Sequence, residues 1–187
     1  MSTAARFSLA QYDLMVEAGA FDGRHRQRVE FVRGEIREMT PMSARHACAI
    51  ERLNAWSFES TPRAAVAVRI QCPARIPELE SAPEPDVLWA RKRDYSSQHP
   101  EPGDILLVVE VAESSLDYDT GEKAQLYAEA GIADYWVVNL IDDCVEVFRD
   151  PQPEGYQTHV TLRGDQEIRP LAFPDAVFTP SLLARPS

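Results

Sequence analysis

The sequence predicts a single α/β domain in which a mixed β-sheet is flanked by helices. Three observations lead to this fold class. The 187 residues are enough for one domain with a buried core. The composition, 44% hydrophobic and 26% charged, is that of an average globular protein. Helix-like and strand-like segments alternate along the chain, without repeats or Gly/Ser linkers, so we predict one domain over residues 1–187.

The first half of the chain predicts a helix, a hairpin, a second helix and a strand. Apolar residues at helical spacing predict a helix over residues 8–19 with Ser8 as its N-cap. The segment RVEFVRGEIREM predicts a β-hairpin that turns at Gly34. An apolar stripe predicts the second helix over residues 43–60, and the alternation in AAVAVRI predicts a strand over residues 64–70.

The second half predicts the centre of the sheet. ILLVVEV, residues 105–111, is the most apolar run and predicts a strand buried on both faces. A short strand over residues 86–90 precedes it. A helix over residues 119–130 follows it and begins with the capping-box pattern Asp119-x-x-Glu122. DYWVVNL and VEVFR predict a further strand pair, and GYQTHVTL predicts an edge strand.

The chain has no predicted disulfide or membrane segment. Cys48, Cys72 and Cys144 are an odd number at wide spacings, which argues against a disulfide framework and against a thiolate zinc site. No apolar run approaches the ~20 residues that cross a bilayer. The N-terminal residues lack the pattern of a signal peptide. We therefore expect a cytoplasmic protein.

The charge is distributed unevenly. The net charge of −11 disfavours a nucleic-acid binder at first sight. Residues 24–75, however, contain ten arginines against five glutamates, whereas residues 76–187 contain eight basic against 22 acidic residues. Folding either gathers these arginines on one basic face or scatters them over several.

Two carboxylates predict a metal site. Burial of Glu110 at the end of an apolar strand costs several kcal/mol unless an arginine or lysine, backbone donors or a metal ion compensates it. Asp86 follows a proline-rich loop and begins another apolar strand, and it is otherwise explained as a turn or capping residue. Two acids on neighbouring strands suit Mg²⁺, which is held by one or two carboxylates plus water and phosphate oxygens.

Lys123 is the third candidate. It lies in the first turn of the predicted helix, where a cation is mildly unfavourable. An i,i+4 pair with Asp119 explains it simply. The other possible partners are Glu110 and a metal-bound water, because the loop between strand and helix returns the helix start to the strand end. Tyr127 lies one turn later on the same helix face, where it either lines the site or packs in the core.

The segments PDVLWA and ILLVVEVAESSLDYDTGEKAQLYAEAGIADYWVVNL resemble the Uma-type family of restriction-endonuclease-like proteins, in the PD-(D/E)xK nuclease superfamily. VEFVRGEIREMTPMSARH and the later FTPSLL extend the resemblance over nearly the whole chain. It implies a restriction-endonuclease-like fold, with Asp86 and Glu110 as ligands of Mg²⁺ or Mn²⁺ and Lys123 as the catalytic lysine. Ala112 stands where the superfamily usually has that lysine, so Lys123 would fill a similar space from the helix.

The resemblance also implies two accessory residues, Glu30 on the hairpin and His46 near a helix start. Taken alone, Glu30 could face solvent and His46 could be an ordinary surface histidine. The main hypothesis is a metal-dependent endonuclease that hydrolyses DNA phosphodiester bonds, with the DNA backbone bound by a group of arginines: Arg28, Arg33, Arg45 and Arg52.

Two other functions stay open. One is a catalytically inactive nuclease-fold module for binding or assembly. The other is a carboxylate-pair hydrolase of a small substrate, which is disfavoured because no aromatic sugar-binding platform is evident. A homodimer would suit an enzyme that cuts both strands, and the turn at residues 141–144 and the C-terminal strand are candidate contact edges.

Overall fold

The computed structural model describes residues 5–22 and 28–183. Its α-helices are α1 (Leu9–Glu17), α2 (Ala44–Ser60), α3 (Leu116–Tyr118) and α4 (Ala124–Glu129), with a π-helical turn, Asp119–Lys123, between the last two. Its strands are β1 (Val29–Val32), β2 (Glu35–Glu38), β3 (Val66–Ile70), β4 (Val87–Arg91), β5 (Ile105–Ala112), β6 (Asp134–Asn139), β7 (Cys144–Gln152) and β8 (Gly155–Arg163). Short 3₁₀ turns occupy Pro77–Leu79, Pro102–Asp104 and Pro180–Leu183. The predicted order of helices and strands is confirmed.

Six strands form one mixed sheet in the order β3-β4-β5-β6-β7-β8. Neighbours are antiparallel except β5 and β6, which are parallel and joined through α3, the π turn and α4. A parallel pair needs such a crossover connection. The prediction that residues 105–111 form a central strand is confirmed, because β5 lies third in the sheet and six of its eight residues are buried.

Each face of the sheet is covered by a different helix. On one face α2 packs its apolar stripe against alternate strand residues, and Trp56 lies 5.0 Å from Trp89 and 5.9 Å from Trp136 between ring centroids. On the other face α4 contributes Tyr127, whose ring centroid is 4.9 Å from that of Tyr135. Such aromatic contacts add to the free energy gained by burying apolar area. Successive residues of β5 therefore point to two separate apolar clusters.

The hairpin of β1 and β2 forms a separate two-stranded sheet beside the larger one. The turn at Gly34 was predicted correctly, and Gly34 has a φ of +79°. Phe31 bridges to Ala82 and stacks on Tyr12 of α1, with ring centroids 4.7 Å apart. These contacts fix the hairpin against the domain, which turns Glu30 inward and leaves it only 4% exposed.

One local prediction was wrong. Asp119 does not cap a helix, because helical structure already begins at Leu116 and Asp119 opens a π-helical turn. Its carboxylate accepts a hydrogen bond from Ser115 Oγ at 2.6 Å instead of binding backbone amides. π-helical turns within helices are often found at functional sites, and this one carries Lys123 at its end.

Across the described residues, no helix is long and apolar enough to cross a membrane.

Candidate functional site

Asp86 and Glu110 lie opposite each other on neighbouring strands. β4 and β5 are antiparallel with Val87 paired to Val109. The same register places Asp86 opposite Glu110, and directly opposed residues point to the same face of a sheet. The backbone N–H of Val111 donates to Asp86 Oδ2 at 2.8 Å, which holds the aspartate against β5. The two carboxylates predicted as metal ligands are therefore neighbours at one end of the sheet.

Asp86 is held in its charged form. Oδ2 also lies 3.1 Å from His46 Nε2, at the start of α2, and Oδ1 accepts from Gln71 Nε2 at 3.3 Å. Burial by itself raises the pKa of this carboxyl, but the hydrogen bonds from His46, Val111 and Gln71 outweigh burial and leave the pKa below its ordinary value. His46 thus fixes the orientation of Asp86.

Lys123 lies among three carboxylates. Its Nζ is 3.0 Å from Glu110 Oε1, 3.2 Å from Glu30 Oε2 and 3.7 Å from Asp119 Oδ1. The contact with Glu30 has ion-pair distance, but it is not aligned as a hydrogen bond. Burial alone would lower the pKa of Lys123, yet the three acids raise it well above the ordinary value. The lysine is therefore a cation, and two of the partners considered from the sequence, Asp119 and Glu110, contact it.

Two tyrosines complete the site. Tyr127 Oη donates to Glu110 Oε1 at 3.0 Å, and Tyr118 Oη donates to Glu30 Oε1 at 3.0 Å. The Tyr118 ring also lies 5.5 Å from Lys123 Nζ, within range of a cation–π contact. Tyr127 consequently both packs in the core and contacts the candidate site, and the two interpretations of it are compatible.

The site carries more buried acid than base. Asp86, Glu30, Glu110 and Asp119 are all buried, and Lys123 is the buried cation among them. Burial raises the pKa of Glu110 well above its usual range, although Lys123 opposes the shift. Burial likewise raises the pKa of Asp119 to about 6. Such an excess of carboxylates is a setting in which a further cation is stabilising.

The donor set fits a sparsely held hard cation. In the parts of the chain that the structure describes, no three His, Cys, Asp or Glu side chains are arranged to hold a metal ion by themselves. Mg²⁺ does not require such a cage, because one or two carboxylates with water and phosphate oxygens suffice. Lys123 and Tyr127 both reach Oε1 of Glu110. A cation held by both carboxylates would bind Asp86 oxygens that already accept hydrogen bonds from His46, Gln71 and Val111.

The site is nearly closed to solvent. The side chains of Asp86, Glu30, Glu110 and Lys123 are at most 7% exposed, whereas His46 is 20% exposed. A cavity of about 820 Å³ lies elsewhere, between α2 and the turn after β6.

The arginines predicted to bind DNA are spread over several surfaces. Arg28 pairs with Glu84 at 2.9 Å, Arg33 pairs with Glu129 at 2.9 Å, and Arg45 pairs with Asp143. Arg52 donates to a backbone carbonyl at 3.5 Å. Arg24 and Arg26 lie outside the described residues. Arg28, Arg33 and Arg45 are thus each matched by an acidic neighbour.

Gln71 and Tyr118 were not predicted from the sequence. Gln71 follows β3 with a φ of +50°, a conformation in which its backbone N–H and its side chain both contact Asp86. A positive φ in a residue other than glycine often marks a functional position, but it is not readable from sequence. Tyr118 is in the ESSLDYDTGEK segment, whose helical spacing toward Lys123 was the available signal.

Comparison with protein families matches residues 11–181 to the Uma2 family, described as "Putative restriction endonuclease". Among solved structures, the chain is similar to one described as "a putative nuclease belonging to DUF820" from Anabaena variabilis. The two chains are 11% identical, the alignment covers 95% of this chain and 97% of that chain, and the TM-score is 0.73. At this identity the likeness establishes the shared fold, which confirms the predicted fold class. No curated protein matched.

Proposed function

Because the chain belongs to the Uma2 family, we propose that it is a divalent-metal-dependent endonuclease that hydrolyses DNA phosphodiester bonds. The observation that carries this proposal is the contact of Lys123 with Glu110 at 3.0 Å, next to Asp86 on the neighbouring strand. It supports the arrangement that the resemblance implied, with the lysine supplied by the helix. Ala112 is on the same strand face as Glu110, toward α4, so the helix can supply the cation that Ala112 lacks.

Asp86 and Glu110 would hold Mg²⁺ or Mn²⁺. Such an ion, when bound, polarises a phosphoryl oxygen and lowers the pKa of water. Lys123 is charged, so it acts as an electrostatic donor that stabilises negative charge on the phosphate and does not accept a proton. His46 keeps Asp86 ionised and oriented, and Tyr127 fixes the Glu110 carboxylate.

Glu30 and Asp119 serve the lysine in this proposal. Both carboxylates lie within 3.7 Å of Lys123 Nζ and hold it in the charged state. Glu30 in turn accepts a hydrogen bond from Tyr118. Because the two acids approach from the hairpin and from the π turn, they define where the ammonium group can sit beside Glu110.

A second function, a catalytically inactive binding or assembly module, is favoured by the burial of the site. An active nuclease must admit a phosphodiester to carboxylates that are at most 7% exposed here. A protein that retains the fold without turnover has no such requirement. In that case Lys123 and its acids form a structural ion-pair cluster.

Nicking of supercoiled plasmid separates the two functions. The wild type should nick the plasmid with Mn²⁺ or Mg²⁺ and not with EDTA. Asp86→Asn and Glu110→Gln should lower the rate by at least about 10²-fold, because each removes a ligand of the ion that would stabilise charge on the phosphate. Asp117→Asn, an exposed carboxylate near the site, is the matched control and should keep the wild-type rate. A folded wild type that nicks with neither ion would leave the inactive module as the function.

A homodimer would bring two such sites to one duplex. β8 is an edge strand of nine residues with Val160 45% exposed, and Ile141 in the turn between β6 and β7 is 60% exposed. Open edge strands pair readily with other chains. Light scattering after size exclusion should give twice the 21.0 kDa chain mass, and Val160→Lys should return it to the mass of one chain.

A further inference from the structure

A basic groove lies along the edge of the sheet at β3. Its volume is about 660 Å³, and it runs from the end of α2 across β3 to the segment after β4. Four basic side chains line it: Arg63, Arg69, Lys92 and Arg93. One acidic side chain, that of Asp94, lines it as well. In a chain with a net charge of −11, this is a local excess of positive charge.

The cations of the groove are less neutralised than Arg28, Arg33 and Arg45. Arg93 pairs with Asp104 at 2.9 Å. Arg63 lies 6.0 Å from the Phe58 ring centroid, and within the described ranges neither Arg63 nor Lys92 has a carboxylate partner. Arg28, Arg33 and Arg45, by contrast, are each paired with an acid. The groove therefore retains charge that an anion can use.

Arg69 has an unused donor in the groove. Its guanidinium lies 5.3 Å from the Tyr95 ring centroid, and Nη2 is 3.5 Å from His99 Nδ1. Its Nε is buried and has no hydrogen-bond acceptor in the described part of the chain. A buried donor without a partner is costly, and a planar guanidinium matches the oxygens of a phosphate. With a shift of the Arg69 side chain, an anionic oxygen in the groove would provide the missing acceptor.

The groove is connected to the candidate site through β3. Arg69 is paired with Leu88, so the two side chains project from the same face of the sheet. Leu88 shares its face with Asp86, two residues earlier on the chain. Gln71, two residues after Arg69, contacts Asp86. At about 3.3 Å per strand residue, the strand from Val66 to Gln71 spans about 17 Å, or about five base pairs at 3.4 Å each.

We propose that this groove binds the phosphodiester backbone of the nucleic acid, a few base pairs from the phosphate that reaches Asp86 and Glu110. This proposal rests on the proposed nuclease function, but it concerns a separate surface. Guanidinium and ammonium groups recognise phosphate oxygens without reading bases. The groove thus contributes affinity and position and no sequence preference.

The test is the affinity for labelled duplex DNA, measured by fluorescence anisotropy in EDTA over a salt series. The double variant Arg63→Gln/Lys92→Gln changes two exposed side chains and should fold normally. Its affinity should fall at least about tenfold, and the slope of log K against log[salt] should fall by about 2, because each phosphate contact contributes about 0.9. The affinity of this variant should fall equally for two duplexes of unrelated sequence.

The matched control is Arg163→Gln/Arg169→Gln, which makes the same charge change at two exposed arginines near the other edge of the sheet. It should bind within about twofold of the wild type. The proposal is overturned if the wild type does not bind duplex, if the groove variant keeps the wild-type slope, or if the control weakens as much. Addition of Arg69→Gln to the groove variant should lower the affinity for duplex further.

The same protein samples distinguish the two proposals. If DNA binds through the groove but is not cleaved with Mn²⁺, the nuclease function fails and the groove stands. If plasmid is nicked while the groove variants bind normally, the nuclease function stands and the groove is wrong.

Discussion

At the scale of single residues, Lys123 is the group whose environment decides the chemistry. The Coulomb attraction between two unit charges 3.0 Å apart is about 5.5 kcal/mol at an effective dielectric constant of about 20. Three carboxylates together therefore offset the burial of one ammonium group. A lysine held in this way cannot serve as a general base at neutral pH, whereas it can stabilise developing negative charge.

We expect Lys123→Met to destabilise the protein. Methionine fills a similar volume but leaves Glu110, Glu30 and Asp119 without their cation. Breaking one partner of a buried ion pair costs about 3–5 kcal/mol. Urea unfolding at pH 7 in EDTA measures this loss.

The double variant Lys123→Met/Glu110→Gln is the control for that prediction. It removes the charge of the closest acid together with the lysine, so part of the lost stability should return. If the loss of unfolding free energy in the double variant equals the sum of the losses in the two single variants, these side chains do not interact directly.

The Asp119 carboxyl predicts a specific pH dependence. Its pKa is raised from 3.8 to about 6 in the folded protein, chiefly by burial. The folded state then binds the proton more tightly than the unfolded chain, so stability from this group is greatest below about pH 4 and falls as the pH rises toward 6. Above that range the effect is constant.

Comparison of the wild type with Asp119→Asn isolates this effect. The unfolding free energy of the variant relative to the wild type should rise between pH 4 and about pH 6–7, because only the wild type must ionise a buried carboxyl. The measurement is chemical unfolding in EDTA at half-unit pH steps. A difference that does not change with pH would contradict a raised pKa.

At the scale of elements, the sequence is informative where the signal is local. The apolar run of β5 predicts its burial and its central place, and one charge within that run identifies Glu110. The capping of α1 by Ser8 and of α2 by Ser43 is likewise local and was predicted for Ser8. These features depend on neighbours within a few residues.

Non-local register is what the sequence could not supply. Gln71 meets Asp86 only because β3 and β4 pair in one register. Glu30 faces Lys123 only because the hairpin docks against α1 and the loop before β4. The π-helical turn that ends at Lys123 carries no local signature distinct from an ordinary capped helix. The main candidate site residues could thus be identified from the sequence, whereas the residues that contact them could not.

The hairpin turn gives a prediction at this scale. Gly34 has a φ of +79°, and a Cβ there would lie 3.0 Å from the Phe7 carbonyl oxygen. Gly34→Ala should therefore destabilise the protein by about 1–2 kcal/mol, from backbone strain and the close contact. Gly103→Ala is the matched control, because its Cβ would meet nothing within 4 Å and its φ is not positive. Equal unfolding free energies for the two variants would contradict a strained turn.

At the scale of the whole molecule, an acidic chain is proposed to bind a polyanion. The net charge of −11 repels DNA at long range. Two local features oppose that repulsion: the groove at β3 and the divalent ion that the buried carboxylates would take. The amount of charge matters less than its position, because screening at physiological salt limits interactions beyond about 8 Å.

Metal binding should stabilise the entire fold. Asp86 and Glu110 lie near the ends of β4 and β5, so an ion that binds both joins these two strands. Because only the folded chain brings them together, the ion favours the folded state. At 100 times its dissociation constant, Mn²⁺ should add about 2.7 kcal/mol to the unfolding free energy. Mn²⁺ should raise the unfolding temperature of the wild type and leave that of Glu110→Gln unchanged. An equal shift in both proteins would place the ion elsewhere.

A calorimetric titration of Mn²⁺ into the wild type and into Asp86→Asn tests directly whether Asp86 and Glu110, beside Lys123, form a divalent-metal site. The wild type and the control Asp117→Asn should each show one saturable binding event, and Asp86→Asn should show none. Absence of binding heat in the folded wild type, or binding unchanged by Asp86→Asn, would contradict such a site.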